Sequence, residues 1–296
     1  MGTATVNGMV ELAEASVFLR QWGASDASPV LALHQLGIAG SSLHLAGLAA
    51  GLADSYGLRV LAPDLPGFGG SAPWPAERYL PSELVGLLVS LLDRLGLARV
   101  SLVGLSWGAT LGCHLAALAP ERVGALVLLD AGYIDPTDQP AFVADTPLKD
   151  RVRTAERSLM AFRFRRLDEA LNTVSDDYPD WTPDLEASWT AGLRLHRGRV
   201  VPRLRPSTYG GSVHGLVTEP VSSTWPGLAG SGVPVLLLAA DEPASAREMQ
   251  AAARARFSSA VPQAEVRVLP GQRNDLVGGL GPALVPLVGD WLAEHG

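Results

Sequence analysis

Residues 100–109 read Val100-Ser101-Leu102-Val103-Gly104-Leu105-Ser106-Trp107-Gly108-Ala109. The run up to Val103 is mostly apolar, as in a buried strand, and a helical pattern begins at Trp107. Gly104 and Gly108 allow the chain to turn sharply between the two elements. A strand, a tight turn and a helix around the G-x-S-x-G string together predict a nucleophile elbow, which places the Ser106 hydroxyl beside the N-terminus of the helix.

Outward from this turn, short apolar runs alternate with segments of helical length. We predict strands at residues 15–22, 29–33, 58–62, 100–103, 125–129, 233–240 and 264–269. We predict helices at residues 42–55, 81–95, 107–119, 244–257 and 282–294. This alternation indicates an α/β fold with a mostly parallel central sheet and helices on both of its faces.

The alternation stops between residues 131 and 232, where the chain is polar and rich in arginine and aromatic residues. Apolar residues recur there at the helical spacings of four and three, at Met160, Phe164, Leu167, Leu171 and Val174. The sequence therefore predicts a core of residues 1–130 and 233–296 and a helical lid of residues 131–232 inserted after strand six. Open α/β sheets hold their ligands at the carboxyl ends of the strands, so we expect the lid to cover that edge.

Composition and charge exclude several classes of function. The 296 residues are 47% hydrophobic and 18% charged, which supplies enough apolar material for a large core. The net charge is −7 and no basic run is present, so nucleic acid is not an expected partner. The single cysteine, Cys113, excludes an intrachain disulfide and a cysteine-based zinc site.

The sequence also bears on where the protein works. The beginning of the chain lacks a basic n-region and carries Glu11 and Glu14 where an export signal would be apolar. The longest apolar stretch, residues 276–289, is shorter than the roughly 18 residues that span a bilayer. We therefore expect a cytoplasmic protein that meets a small-molecule substrate and no membrane, while the sequence leaves its oligomeric state open.

Three further segments belong with the turn at Ser106. Residues 33–37 read LHQLG, residues 62–71 read APDLPGFGGS and residues 128–132 read LLDAG. They are similar to the H-G-x-G oxyanion loop, the D-x-x-G-x-G-x-S turn and the end of strand six of the α/β-hydrolase fold family, which the chain resembles over nearly its whole length. The resemblance implies that Ser106 is the nucleophile and that the N–H groups of Leu36 and Trp107 form the oxyanion hole. Gln35 departs from the usual glycine, and its side chain reaches either the hole and ligand or only the surface.

The resemblance also places the other members of a catalytic triad. The acid follows the strand predicted at 233–240, which favours Asp241, with Asp130 in reserve and a turn or helix-cap role as the alternative for Asp241. The family shows G-x-x-H-D in the last loop, and residues 271–275 here read GQRND, which puts Asn274 at the histidine position. An amide has no basic nitrogen, so Asn274 cannot take a proton from Ser106. His34 and His214 are possible substitute bases or substrate contacts, although a structural or exposed role suits each of them.

Asn274 leaves three hypotheses open. The first is a non-hydrolytic enzyme that cyclises, forms a C–C bond, or adds to or eliminates from a bulky, partly aromatic carbonyl compound of a natural-product pathway. The second is a serine ester, lactone or thioester hydrolase inactivated by a change from histidine to asparagine at position 274. The third is a non-catalytic small-molecule binder. Epoxide hydrolases and dehalogenases of this fold use a carboxylate where Ser106 stands, and we expect neither a cofactor nor a metal ion.

Overall fold

The structure, a computed structural model, describes residues 6–139 and 142–296. Residues 1–5, assigned above to the core, and residues 140–141, assigned to the lid, lie outside the described residues. The strands of the described chain are β1 (Val6–Glu11), β2 (Ser16–Trp22), β3 (Pro29–Leu33), β4 (Arg59–Pro63), β5 (Val100–Leu105), β6 (Val123–Leu129), β7 (Leu193–His196), β8 (Arg199–Pro202), β9 (Val235–Ala240) and β10 (Ala264–Leu269). The helices are α1 (Ala46–Tyr56), α2 (Pro81–Arg94), α3 (Trp107–Leu118), α4 (Leu148–Ala161), α5 (Leu167–Ser175), α6 (Pro183–Ala191), α7 (Pro206–Thr218), α8 (Trp225–Ser231), α9 (Arg247–Ala260), α10 (Leu276–Leu280) and α11 (Leu284–His295).

Eight strands form one sheet in the order β1-β2-β4-β3-β5-β6-β9-β10. β2 runs antiparallel to both of its neighbours, and all the other neighbouring strands are parallel. The predicted mostly parallel α/β fold is therefore confirmed. β1 was not predicted, because its residues are exposed or half-buried and form no apolar run. It pairs with β2 as an antiparallel edge hairpin.

Helices cover both faces of the sheet because successive strand residues point to opposite sides. Leu102 and Leu126 pack on one face together with α2, α3 and α9. Val103 and Val127 pack on the other face together with α1 and α11. The strands between these layers are buried on both sides, which explains why they read as continuous apolar runs.

The predicted lid lies between β6 and β9 and contains α4 to α8. It is not wholly helical, because β7 and β8 form an antiparallel hairpin. The stripe predicted as one helix from Met160 to Val174 is broken between α4 and α5. There the Phe164 N–H and carbonyl both bond to Val200 of the hairpin, so backbone pairing outside the helix replaces the helical hydrogen bonds.

The C-terminal segment Leu276–His295 is long and apolar enough to cross a membrane by composition alone, with a mean hydropathy of 1.4. In the structure its apolar side chains, including Leu284, Val288 and Leu292, are buried beside the sheet. The segment is longer than the apolar stretch of residues 276–289 expected from the sequence, and 50% of its most apolar window is buried inside the structure.

A buried polar network joins the lid to the core. His44, which is 2% exposed, contacts the Asp275 carboxylate through Nε2 at 2.9 Å. Its Nδ1 lies 3.2 Å from the hydroxyl of Ser188 on α6, and the lid residue Tyr178 donates its hydroxyl to Asp275 at 2.9 Å. Burial by itself raises the pKa of Asp275, but the charge of His44 and hydrogen bonds from His44, Gly278 and Tyr178 hold that pKa below its ordinary value.

We predict that Asp275→Ala lowers the free energy of unfolding by about 3 kcal/mol at neutral pH, because His44 and Tyr178 lose a buried partner. A lowered carboxyl pKa means that the ionised form stabilises the fold above the pKa of an unfolded aspartate, and that this effect is lost as the pH falls through the lowered pKa. Urea unfolding of the wild type and the variant should therefore converge in acid.

The matched control is Asp177→Ala, beside Tyr178. It removes an ion pair with Arg273 in which both side chains are more than 60% exposed, at 63% and 62%. Such a pair contributes less than about 1 kcal/mol. Equal losses of unfolding free energy in Asp177→Ala and Asp275→Ala would contradict the stabilising role of the buried network.

Candidate active site

The turn between β5 and α3 carries the Ser106 side chain. Ser106 has φ 51° and ψ −114°, a strained backbone that costs on the order of 1–3 kcal/mol for a non-glycine residue. A Cβ atom on Gly104 would lie 2.4 Å from the Ala109 nitrogen, and one on Gly108 would lie 2.2 Å from the Leu33 carbonyl oxygen. No side chain fits at either position, so the two glycines make the predicted turn possible.

Leu36 and Trp107 line the same cavity as Ser106. Trp107 is the first residue of α3, so its N–H has no acceptor within the helix. The Leu36 N–H, in the loop after β3, bonds to no acceptor in residues 6–139 and 142–296. Two free N–H donors that share a cavity with a serine hydroxyl are suited to a carbonyl oxygen that gains negative charge.

Gln35 precedes one of these donors but is not among the residues that line the Ser106 cavity. Its backbone carbonyl lies 2.8 Å from Nδ1 of His34, which fixes the loop. Its side-chain Oε1 is buried and has no partner within the described part of the chain. Gln35 therefore contributes to the loop through its main chain.

Asn274 is hydrogen-bonded to Asp130, the acid that the sequence analysis kept in reserve. Its Nδ2 donates to Asp130 Oδ2 at 3.0 Å and to the Asp130 carbonyl at 3.2 Å. Asp130 is 4% exposed and also accepts from the Ala240 N–H at 2.8 Å and the Tyr133 hydroxyl at 3.0 Å. Burial raises the pKa of Asp130, and the hydrogen bonds from Asn274, Ala240 and Tyr133 partly oppose this rise.

Asp241, which the sequence analysis preferred as the acid, lies elsewhere in the loop network. Its Oδ1 accepts from the Gly271 N–H at 2.7 Å, and its carboxylate is 3.8 Å from Arg247. The Asp241 N–H bonds to the Gln272 carbonyl, so main-chain contacts hold the residue along this loop. No hydrogen bond joins Asp241 to Asn274 among the described residues, and the pairing expected from the sequence is replaced by the pairing with Asp130.

The candidate substitute bases do not line the Ser106 cavity. His34 is fully buried, and its Nε2 accepts from the Leu65 N–H at 3.0 Å, so the basic nitrogen is already occupied. His214 lies on α7 with Nε2 3.5 Å from the Thr218 hydroxyl. Burial and the charge of Arg151 lower the pKa of His214. His34 thus has the structural role that the sequence analysis weighed against catalysis.

The Ser106 cavity has a volume of about 260 Å³ and lies between the sheet edge and the lid. Its wall combines polar groups with a larger set of apolar and aromatic side chains. The lining residues are Leu36, Ser106, Trp107, Thr110, Asp130, Ala131, Ile134, Pro136, Gln139, Phe142, Tyr209, Val213, Leu216, Val221 and Asn274. Thr110 was not predicted, although its position three residues after Trp107 puts it on the same face of α3.

Only part of the aromatic content of the lid faces this cavity. Phe142 and Tyr209 line it. Phe162, Phe164 and Trp189 instead pack in a separate lid cluster. The aromatic wall of the cavity is therefore smaller than the aromatic content of the lid suggests.

Comparisons with known proteins bear on the fold family. A family described as the alpha/beta hydrolase fold matches residues 29–276. An epoxide hydrolase of Siraitia grosvenorii is 44% identical over 81 residues, 27% of this chain and 26% of that protein. A haloalkane dehalogenase of Mycolicibacterium paratuberculosis is 44% identical over 93 residues, 30% of each chain, and lipase LipV of Mycobacterium tuberculosis is 38% identical over 112 residues, 38% of this chain and 40% of that one. The matched segments span about a quarter to two fifths of these curated relatives.

Solved structures match over nearly the full length. A thioesterase domain from the curacin biosynthetic pathway aligns with a TM-score of 0.72 and 19% identity, covering 99% of this chain and 100% of that one. An E-2-(acetamidomethylene)succinate hydrolase aligns with a TM-score of 0.74 and 18% identity, covering 97% and 99%. At such identities the likeness shows the fold. With the family match over residues 29–276, it establishes that this chain belongs to the α/β-hydrolase fold family.

Proposed function

We propose that this chain is an enzyme that polarises a carbonyl group of a small molecule beside Ser106 and does not form an acyl-enzyme. One observation carries the proposal. Asn274 stands where a triad base would stand, and its amide nitrogen faces Asp130 as the N–H of an imidazole would. The amide keeps the hydrogen bonds of that position but supplies no base to remove the proton of Ser106.

The chain's own groups support a reaction that needs orientation and charge stabilisation. The N–H groups of Leu36 and Trp107 are free to hold an oxygen as its negative charge grows. With Nδ2 of Asn274 directed at Asp130, Oδ1 is left to accept a hydrogen bond, and the Ser106 hydroxyl can donate one. A substrate that carries its own nucleophile then reacts by ring closure, C–C bond formation, or addition and elimination, because a fixed geometry replaces a bimolecular encounter.

The cavity narrows the class of substrate. Its volume of about 260 Å³ lies just below the roughly 300–1,000 Å³ common for ligand pockets. Trp107, Phe142 and Tyr209 give it aromatic walls, while Thr110 and Gln139 add polar contacts. These features favour a compact carbonyl compound with a planar apolar part over the bulky molecule expected from the sequence. A place in a natural-product pathway remains part of the proposal.

A serine hydrolase that lacks only its base is the second candidate. Ser106 and its two glycines are intact, and the hydrogen bond between Asn274 and Asp130 reproduces the contact that an orienting acid makes with a base. The relatives named hydrolases favour the same candidate. A non-catalytic binder would need neither the strained turn at Ser106 nor the free N–H donors. The serine hydrolase needs a base at position 274, whereas the non-hydrolytic enzyme does not. Ester hydrolysis by variants at this position distinguishes the two.

We predict that the native chain hydrolyses simple activated esters no faster than Ser106→Ala. We further predict that Asn274→His raises the rate by about 10³-fold, because a base beside the serine contributes on that order. The gain should disappear in the double variant Ser106→Ala/Asn274→His. The measurement is ester hydrolysis by the four proteins under one set of conditions, with thermal unfolding as a check of folding.

Ester hydrolysis by the native chain that depends on Ser106 would show that the chain has a base for Ser106, and it would overturn the proposal. The non-hydrolytic activity is tested separately with carbonyl compounds that carry an internal nucleophile. Mass spectrometry should find products that are isomeric with the substrate or have lost a small leaving group. Products that have gained one water from the native chain would favour the hydrolase instead.

The role of Asp130 gives a further prediction. In the Asn274→His background, Asp130→Asn should remove most of the gained activity, a loss approaching about 10³-fold, because the introduced imidazole loses the carboxylate that orients it. Asp241→Asn in the same background is the matched control and should retain the activity within about threefold, since Asp241 contacts Gly271 and Arg247. A larger loss of activity in Asp241→Asn than in Asp130→Asn would restore Asp241 as the acid.

A further inference from the structure

A second cavity, of about 210 Å³, lies between core and lid and shares no lining residue with the Ser106 cavity. The lid contributes Arg194, Arg203 and Arg205 to its wall, and the core contributes Ser41 and the glycine turn at residues 67–69. We refer to it as the arginine cavity. Phe68, which lines this cavity, packs against Trp107, which lines the Ser106 cavity, with ring centroids 5.4 Å apart.

The charges of the arginine cavity are not balanced by the protein. Arg194, Arg203 and Arg205 form no ion pair with a carboxylate in residues 6–139 and 142–296. No aspartate or glutamate lines the cavity. The chain as a whole carries a net charge of −7, whereas three guanidinium groups without a carboxylate partner make this cavity locally positive. Guanidinium groups present fixed pairs of donors that fit phosphate and carboxylate oxygens.

The backbone adds to the positive potential. Arg205 is the N-cap of α7, a helix of 13 residues with no acidic side chain in its first turn and no side-chain cap. Pro206 at the first helical position has no N–H, the N–H groups that follow it lack acceptors within the helix and favour an anion, and Arg205 is the residue of this helix end that lines the cavity. The first turn adjoins the glycine turn, because a Cβ on Gly67 would lie 2.6 Å from the Thr208 hydroxyl oxygen.

A buried hydroxyl on the cavity wall also lacks a partner. Ser41 is 5% exposed, and its Oγ has no hydrogen bond within the described chain. A buried donor without an acceptor is costly in a folded protein. An anion in the cavity would give it one.

We propose that the arginine cavity binds a compact, multiply charged anion, either a phosphate group or a polycarboxylate, at a site separate from the Ser106 cavity. Arg194, Arg203 and Arg205 line the cavity together with the unpartnered Ser41 hydroxyl, Arg203 also donates through Nε to the Leu193 carbonyl at 2.8 Å, and no carboxylate lines the wall. This proposal does not depend on the proposed reaction at Ser106, because binding of the anion is measured without turnover.

The test is calorimetric titration of the full chain with inorganic pyrophosphate, citrate and acetate at low ionic strength. We expect pyrophosphate or citrate to bind at one site per chain and to raise the melting temperature, and we expect this binding to weaken as salt is added. Acetate should show no saturable binding and leave the melting temperature unchanged. Preference for pyrophosphate identifies phosphate chemistry, and preference for citrate identifies a polycarboxylate. An absence of saturable heat together with an unchanged melting temperature for both polyanions would overturn the proposal.

Variants locate the binding. Arg194→Gln and Arg205→Gln should each raise the Kd about tenfold, and Ser41→Ala about threefold, because each removes a hydrogen bond to a charged ligand. The control is Arg197→Gln, which removes the same charge from the turn between β7 and β8 but does not line the cavity, and its Kd should stay within about twofold. Arg205→Lys, which keeps the charge, serves if Arg205→Gln fails to fold. An equal loss in Arg197→Gln would show that net charge alone attracts the anion and would overturn the site.

Discussion

Ser106 keeps its strained backbone because Gly104 and Gly108 let α3 and β3 approach the turn from two sides. This close approach fixes the position of the serine hydroxyl at the end of β5. Since β5 lies between β3 and β6 in the sheet, the loops that follow these two neighbours reach the same place. The loop after β3 brings Leu36, and the end of β6 brings Asp130. The position of the cavity therefore follows from the order of β3, β5 and β6 in the sheet and from a turn in which neither Gly104 nor Gly108 can carry a side chain.

The sequence predicts the fold well because its signals are local. Apolar runs locate the sheet strands other than β1, and the glycines around Ser106 identify the turn. The acid could not be chosen in this way, because Asp130 and Asp241 both follow a buried strand. Only the loop at residues 271–275 distinguishes them, by binding Asp241 through its main chain and turning Asn274 toward Asp130. The β7–β8 hairpin and the arginine cavity were missed for the same reason, since both depend on contacts between distant segments.

Under the proposed function, Asn274 keeps a hydrogen bond to Asp130 without supplying a base. Its Nδ2 donates one hydrogen bond to the Asp130 carboxylate, whose charged form burial disfavours, and another to the Asp130 carbonyl. An apolar residue there would leave Asp130 with fewer donors, so an amide is a conservative occupant in terms of stability. An amide differs from an imidazole in proton affinity, and the proposed reaction therefore relies on orientation and electrostatic stabilisation, which act without a proton acceptor.

The network of His44, Ser188 and Tyr178 holds Asp275, the residue next to Asn274 in the chain. Tyr178 of the lid bonds to Asp275 directly, and Ser188 of the lid is linked to Asp275 through His44. These contacts fix the backbone at Asp275, so the lid segment also bears on the position of the neighbouring Asn274 side chain and its hydrogen bond to Asp130.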